Sequence, residues 1–131
     1  MRHKKSSDRI GRSSAHRQAT TAALVCSLIA EKRIKTTLAK ARLTRKVAER
    51  MVTMARKGTL AARRNAISKL RRTESVSELF DTIVPQMEGR NGGYTRIVKI
   101  GQRGSDGSEM AFVEWVSANT AVPGETAKAA E

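Results

Sequence analysis

The chain has 131 residues, with 26 Lys or Arg against 12 Asp or Glu, for a formal charge of +14. That length supports one modest core rather than two, and 39% apolar with 29% charged residues is the balance of a folded domain, not of a chain disordered throughout. Four aromatics and one cysteine exclude an aromatic stacking platform, an internal disulfide and a multi-thiolate metal centre, so a reducing compartment is expected.

Residues 1–12 hold too little apolar surface to fold alone and are expected to form an extended basic arm. Ser13 or Ser14 supplies an N-cap for a helix running to about Glu31, with Ala19, Ala22, Ala23, Cys26 and Ala30 on one stripe. Leu24 and Leu28 fall on the other side, so this helix is expected to be covered on more than one face. Its uncharged run from Gln18 to Ala30 is 13 residues, shorter than the roughly 17–25 a membrane helix needs. Residues 33–37 are partly β-branched and predict a short strand with Ile34 and Thr36 inward.

A second helix is predicted from about Ala39 to Lys57, closed by Gly58. Its stripes Leu43, Val47, Met54 and Ala48, Val52, Ala55 place it between two layers. Arg42 and Arg45 lie outside the first stripe. Thr59 caps a third helix to about Arg72 with Leu60, Ile67 and Leu70 inward, and Arg64 and Arg71, seven apart, leave from a common side. Ser75-Val76-Ser77-Glu78 matches a capping box for a fourth, more acidic helix through Phe80 and Ile83 that ends near Pro85. Residues 94–100 and 110–116 predict a hairpin across Gly101, Gly104 and Gly107. Residues 117–131 are Ala-rich and aperiodic, expected to be a flexible tail. The domain plan is thus arm 1–12, one α+β domain 13–116 and tail 117–131.

The charge is unevenly placed. The first 72 residues carry 21 cations against three acids, a surplus of +18, and the rest nets −4. From Glu31 to Arg72 only Glu31 and Glu49 accompany fifteen cations, where ordinary solvated helix faces would set Glu at helical spacing to Lys or Arg. A dense polyanion is the natural counterpart. On the arm and the start of the first helix, Arg2, His3, Lys4, Lys5, Arg9, Arg12, His16 and Arg17 face only Asp8. Arg offers a planar fork for phosphate oxygens and Lys a compact charge, so phosphate contact is favoured over a merely solubilising leader.

Catalytic readings do not hold. His3 and His16 have no companion ligands, Gly101-x-x-Gly104-x-x-Gly107 joins strands instead of opening a helix, and Glu109 and Glu114, five apart on a strand, point to opposite faces. Cys26 reads as a small buried hydrophobe. No metal, cofactor, small-molecule substrate or membrane partner is expected. With no helix-turn-helix, zinc finger or zipper seam, an irregular folded RNA suits an arm plus several charged elements better than duplex DNA does.

Met-Arg-His at the start, His16-Arg17-Gln18-Ala19, the run from Arg33 to Arg42, the Arg63-Arg64 pair and the run from Gly92 to Lys99 together resemble the bacterial large-subunit ribosomal protein L-seventeen family over roughly residues 1–116. The resemblance implies a two-layer α+β fold, about four helices on a small mixed sheet to which residues 33–37 add, with a basic extended N-terminal arm. It implies a structural, non-catalytic role on large-subunit ribosomal RNA near the rim of the peptide exit tunnel. The partners would be that rRNA and neighbouring large-subunit proteins, and the location cytoplasmic and ribosome-bound. By position, Arg2, His3, His16 and Arg17 would dock the leader, Lys35, Thr36, Thr37 and Lys40 would touch the RNA backbone, and Tyr94 and Arg96 would anchor the sheet side. Arg42, Arg45, Arg63, Arg64, Arg71 and Lys99 complete the expected rRNA-binding set. Two positions depart from the family pattern: Leu43-Thr44, where an acidic residue is expected, and Trp115, where a smaller apolar one is.

Overall fold

A computed structural model of the chain describes residues 10–116. Helix α1 (Ser14–Glu31) starts where Ser13 accepts a hydrogen bond from the His16 amide at 3.3 Å. Its inward face is Ala22, Val25, Cys26 and Ile29 with Thr21 and Leu28, whereas Ala19, Ala23 and Ala30 are exposed. The expected alanine stripe is therefore rotated. Branched and longer side chains bury more apolar area per position than alanine, so they take the core side.

Strand β1 (Arg33–Thr37) follows directly, with Thr36 buried and Ile34 half-buried. Helix α2 (Leu38–Ala55) buries Leu38, Ala41, Thr44, Ala48, Met51, Val52 and Ala55. It packs on α1, on α3 and on the sheet, the sandwiched position its two stripes predict. Beyond α2 the chain turns at Gly58, whose φ of 66° lies in the left-handed region. Helix α3 (Leu60–Leu70) then begins on the Thr59 hydroxyl, which accepts from the Ala62 amide at 3.1 Å. Ala62, Ala66 and Leu70 face the core, while Leu60 is 61% exposed instead of inward. The cap sets the helix phase, and in that phase the first residue points to solvent.

Helix α4 (Thr73–Glu78) runs without a break into a π-helical turn (Leu79–Ile83) and a closing turn α5 (Val84–Gln86). The Ser75–Glu78 capping box does not form. The helix already starts at Thr73, two residues past Arg71, so Ser75 lies within it, and Glu78 pairs with Lys32 at the end of α1. In the π turn the Val84 amide reaches back five residues to the Leu79 carbonyl. That widening precedes Pro85, whose ring lacks an N–H and would crowd the carbonyl four residues back in a regular helix.

Strands β2 (Thr95–Gln102) and β3 (Glu109–Trp115) form the hairpin, and the sheet order is β1-β3-β2. Both pairings are antiparallel, so the sheet is not mixed. Tyr94 lies just outside β2. A bulge between Lys99 and Gly101 falls at a glycine with φ 110°, a conformation other residues rarely adopt. The sheet turns Ala111, Val113 and Trp115 toward the helices, and the Trp115 indole N–H donates to the Leu28 carbonyl at 3.0 Å. The large aromatic is thus accommodated in the core and ties the last strand to the end of α1. Helices form one layer and the sheet the other, around one core cluster that draws on every helix and on β3.

Candidate nucleic-acid interface

The cations of the first half converge on the helical layer. Along α2, Lys40, Arg42, Arg45, Lys46 and Arg50 are exposed, and Arg56 and Lys57 continue the series past its end. The acid of this helix, Glu49, is already committed. It accepts from Arg45 at 3.4 Å and from the Thr95 hydroxyl at 3.0 Å, joining α2 to the sheet. Among the described residues Lys40, Arg42, Arg50 and Lys57 have no carboxylate partner. Arg56 is used internally, donating to the Tyr94 hydroxyl at 2.7 Å and the Arg90 carbonyl at 2.6 Å.

Where α1, α2 and α3 diverge, they leave an open cleft of about 570 Å³. Arg17 from the first turns of α1, Arg50 from α2, and Lys69 and Arg71 from the end of α3 stand around it, and no carboxylate lines it. Arg71 closes α3 in the left-handed conformation at φ 60°, its backbone N–H donating to the Ile67 carbonyl. A shallower concavity of about 530 Å³ between Lys46 and Lys57, lined also by Glu49, shares Arg50 and Met54 with the cleft, so the two adjoin.

The sheet's outer face is different. Buried Glu114 sits between Arg96, whose Nε donates at 2.7 Å, and Arg33 at 3.5 Å, the two residues the strand register sets directly beside it. Arg33 also lies over the Phe112 ring at 3.8 Å. Three strands are thus pinned by one carboxylate, and the charges of Arg33 and Arg96 are largely answered within the fold. Arg96 Nη2 is enclosed without a hydrogen-bond partner. At the hairpin tip Arg103 donates to Asp106 at 3.0 and 2.6 Å, and these bonds, with one from the Ser108 amide, hold the Asp106 carboxyl well below the usual carboxylate range. The same pair raises the Arg103 guanidinium above its ordinary value.

The predicted binding residues therefore separate. Arg2, His3, Lys4, Lys5 and Arg9 lie outside the described residues. Arg12, His16, Lys35, Lys40, Arg42, Arg45, Arg64, Arg71 and Lys99 are exposed, and Arg17 and Thr37 are half-buried at the edges of the helical layer. Arg63 is half-buried with its guanidinium 4.5 Å from the Phe80 ring centre. Thr36 and Tyr94 are buried, and Arg96 is held on Glu114. Sequence reasoning missed Arg50, Lys57 and Lys69. Helical spacing alone does not unite Arg17, Arg50 and Arg71, which three different helices bring together. The usable signal was the lack of acids at helical spacing to Arg50 and Lys69. Among the described residues no group of three His, Cys, Asp or Glu could hold a metal ion, and no helix is long and apolar enough to cross a membrane.

A two-layer α+β body whose helical layer carries cations without carboxylate partners among the described residues is the architecture of a polyanion-binding protein. The chain belongs to the family described as Ribosomal protein L17, whose model matches residues 20–116. It is 47% identical to the large ribosomal subunit protein bL17 of Methylacidiphilum infernorum over 131 residues, all of both chains. It is 50% identical to that of Chlorobaculum parvum over 116 residues, 88% of this chain and 75% of the relative. The Fusobacterium nucleatum protein is 47% identical over 116 residues, 88% of this chain and all of its own length. This is a family of ribosomal structural proteins and not of enzymes.

Proposed function

We propose that the chain is a structural constituent of the large ribosomal subunit, binding large-subunit rRNA near the rim of the peptide exit tunnel beside neighbouring large-subunit proteins in the cytoplasm. Family membership supports the assembly and its place. The chemistry rests on one observation: the exposed cations of α2 and of the ends of α1 and α3 have almost no acidic neighbours, so their neutralisation comes from a partner. The arm residues Arg2, His3, Lys4, Lys5 and Arg9 add their donors to the RNA contact in this reading, as do Arg12 and His16, and Lys35, Thr37, Arg63, Arg64 and Lys99 complete the set. Thr36, Tyr94 and Arg96 serve it by fixing the frame.

The test is binding of a large-subunit rRNA transcript against duplex DNA of equal length, over a salt series. With about eight phosphates engaged, log affinity falls against log salt with a slope near −6 to −7 and RNA is preferred. A flat response, or equal binding of DNA, contradicts the proposal, and the latter would identify a sequence-independent DNA-compacting protein. Arg42→Glu with Arg45→Glu leaves the fold near intact, since both side chains are exposed and the Arg45–Glu49 pair contributes only about 0.3–0.5 kcal/mol. The double variant lowers incorporation into large subunits. Unchanged co-sedimentation would remove both positions from the interface.

A further inference from the structure

We propose that the cleft between α1, α2 and α3 receives one unstacked nucleotide of the bound RNA, its base against the apolar floor and its flanking phosphates on the rim cations. This rests on the rRNA-binding reading and gives that reading a specific site. The floor is made by Leu43, Val47 and Met54, all half-buried, with Met51 and Ala22 beneath them. Half-buried side chains of this size on adjacent turns are ones the fold leaves uncovered. The cleft's volume, about 570 Å³, lies within the range of cavities that take small ligands.

The rim decides the occupant. An apolar peptide or lipid chain laid on this floor would draw Arg17, Arg50, Lys69 and Arg71 out of water with nothing to pair them, a cost several charges multiply. A phosphate alone would answer the rim and leave the floor wet. A nucleotide swung out of a folded strand meets both demands, because its base has an apolar π-face and its two phosphodiesters carry the opposite charge. Arg17, Arg50 and Arg71 line the cleft from three different helices, so a strand crossing it would find cations for the phosphates that flank the inserted base. Gln18 and Ser68, exposed at the mouth, offer donors and acceptors to the base edge.

Two measurements on the full chain test this. A large-subunit rRNA transcript carrying 4-thiouridine is irradiated in the complex, and cross-links are expected in peptides 47–50 and 51–56. In the variant Gln18→Leu with Ser68→Leu, the second change narrows the mouth and both remove polar groups without changing charge; both positions are exposed, so thermal unfolding should match the parent. Binding of the transcript should weaken about tenfold with the salt slope unchanged, and those cross-links should disappear. Affinity within twofold of the parent, or a loss that comes with a shallower salt slope, would overturn base insertion while leaving phosphate-driven RNA binding in place. Failure of the parent chain to prefer the transcript would instead strike the broader reading.

Discussion

At the hairpin tip, Arg103 places two N–H donors on Asp106 and the Ser108 amide adds a third, which is why this exposed carboxyl titrates below its usual range. A depressed carboxylate stabilises the folded form at pH above the unfolded value of about 3.9, and that contribution fades as pH falls toward the folded value. Arg103→Ala should return Asp106 toward the ordinary value, followed by its carboxyl shift in an NMR titration. Amide protection at the tip should be lower in the variant at neutral pH, and the two proteins should converge in acid. An unmoved titration would mean that the Ser108 amide holds the carboxylate alone. The Arg103–Asp106 spacing is visible in the chain, but the role of Glu114 is not. Its partners Arg33 and Arg96 are set beside it only by strand register, 81 residues apart along the chain in one case and 18 in the other.

Helix starts were legible where a turn isolates them and illegible where two helices nearly abut. Thr59 follows the left-handed Gly58, so its hydroxyl is free to accept from the Ala62 amide. Replacing it with Ala should cost about 1 kcal/mol, read as a lower denaturant midpoint with an unchanged slope. If stability is unaffected, water replaces the hydroxyl fully at this exposed start. The Ser75–Glu78 pattern fails for a reason local sequence does not show: with only Arg71 and Arg72 between α3 and α4, the next helix begins before Ser75 can cap it. Glu78 is then available to Lys32, itself in the left-handed conformation at the end of α1, where its Nζ also donates to the Ile29 carbonyl at 2.6 Å. The hairpin, the strand at residues 33–37 and α2 were legible because alternation and helical period differ sharply there. The sheet's antiparallel order was not, because a short isolated strand carries no sign of the direction in which it will pair.

For the molecule as a unit, the partition of charge was the strongest signal in the chain, and the fold converts it into a surface: α1, α2 and α3 carry the cations, and the sheet neutralises most of its own. The convergence of Arg17, Arg50, Lys69 and Arg71 needed three helix packings and so could not be read from spacing. The two ends outside the described residues should then contribute unequally to binding. Residues 1–9 hold Arg2, Lys4, Lys5 and Arg9 against Asp8, while residues 117–131 hold Lys128 against Glu125 and Glu131. If each arm cation neutralises one phosphate, deleting residues 2–9 should flatten the salt slope by about 3 and weaken binding most at low salt. Deleting residues 117–131 removes more acid than base and should leave the slope unchanged, with affinity equal or slightly raised. Both deletions spare the core described over residues 10–116, so unfolding midpoints should stay near the parent's. A slope that responds to loss of the tail but not of the arm would reverse the assignment, placing the RNA contact at the acidic end of the chain, where simple electrostatics gives it no support.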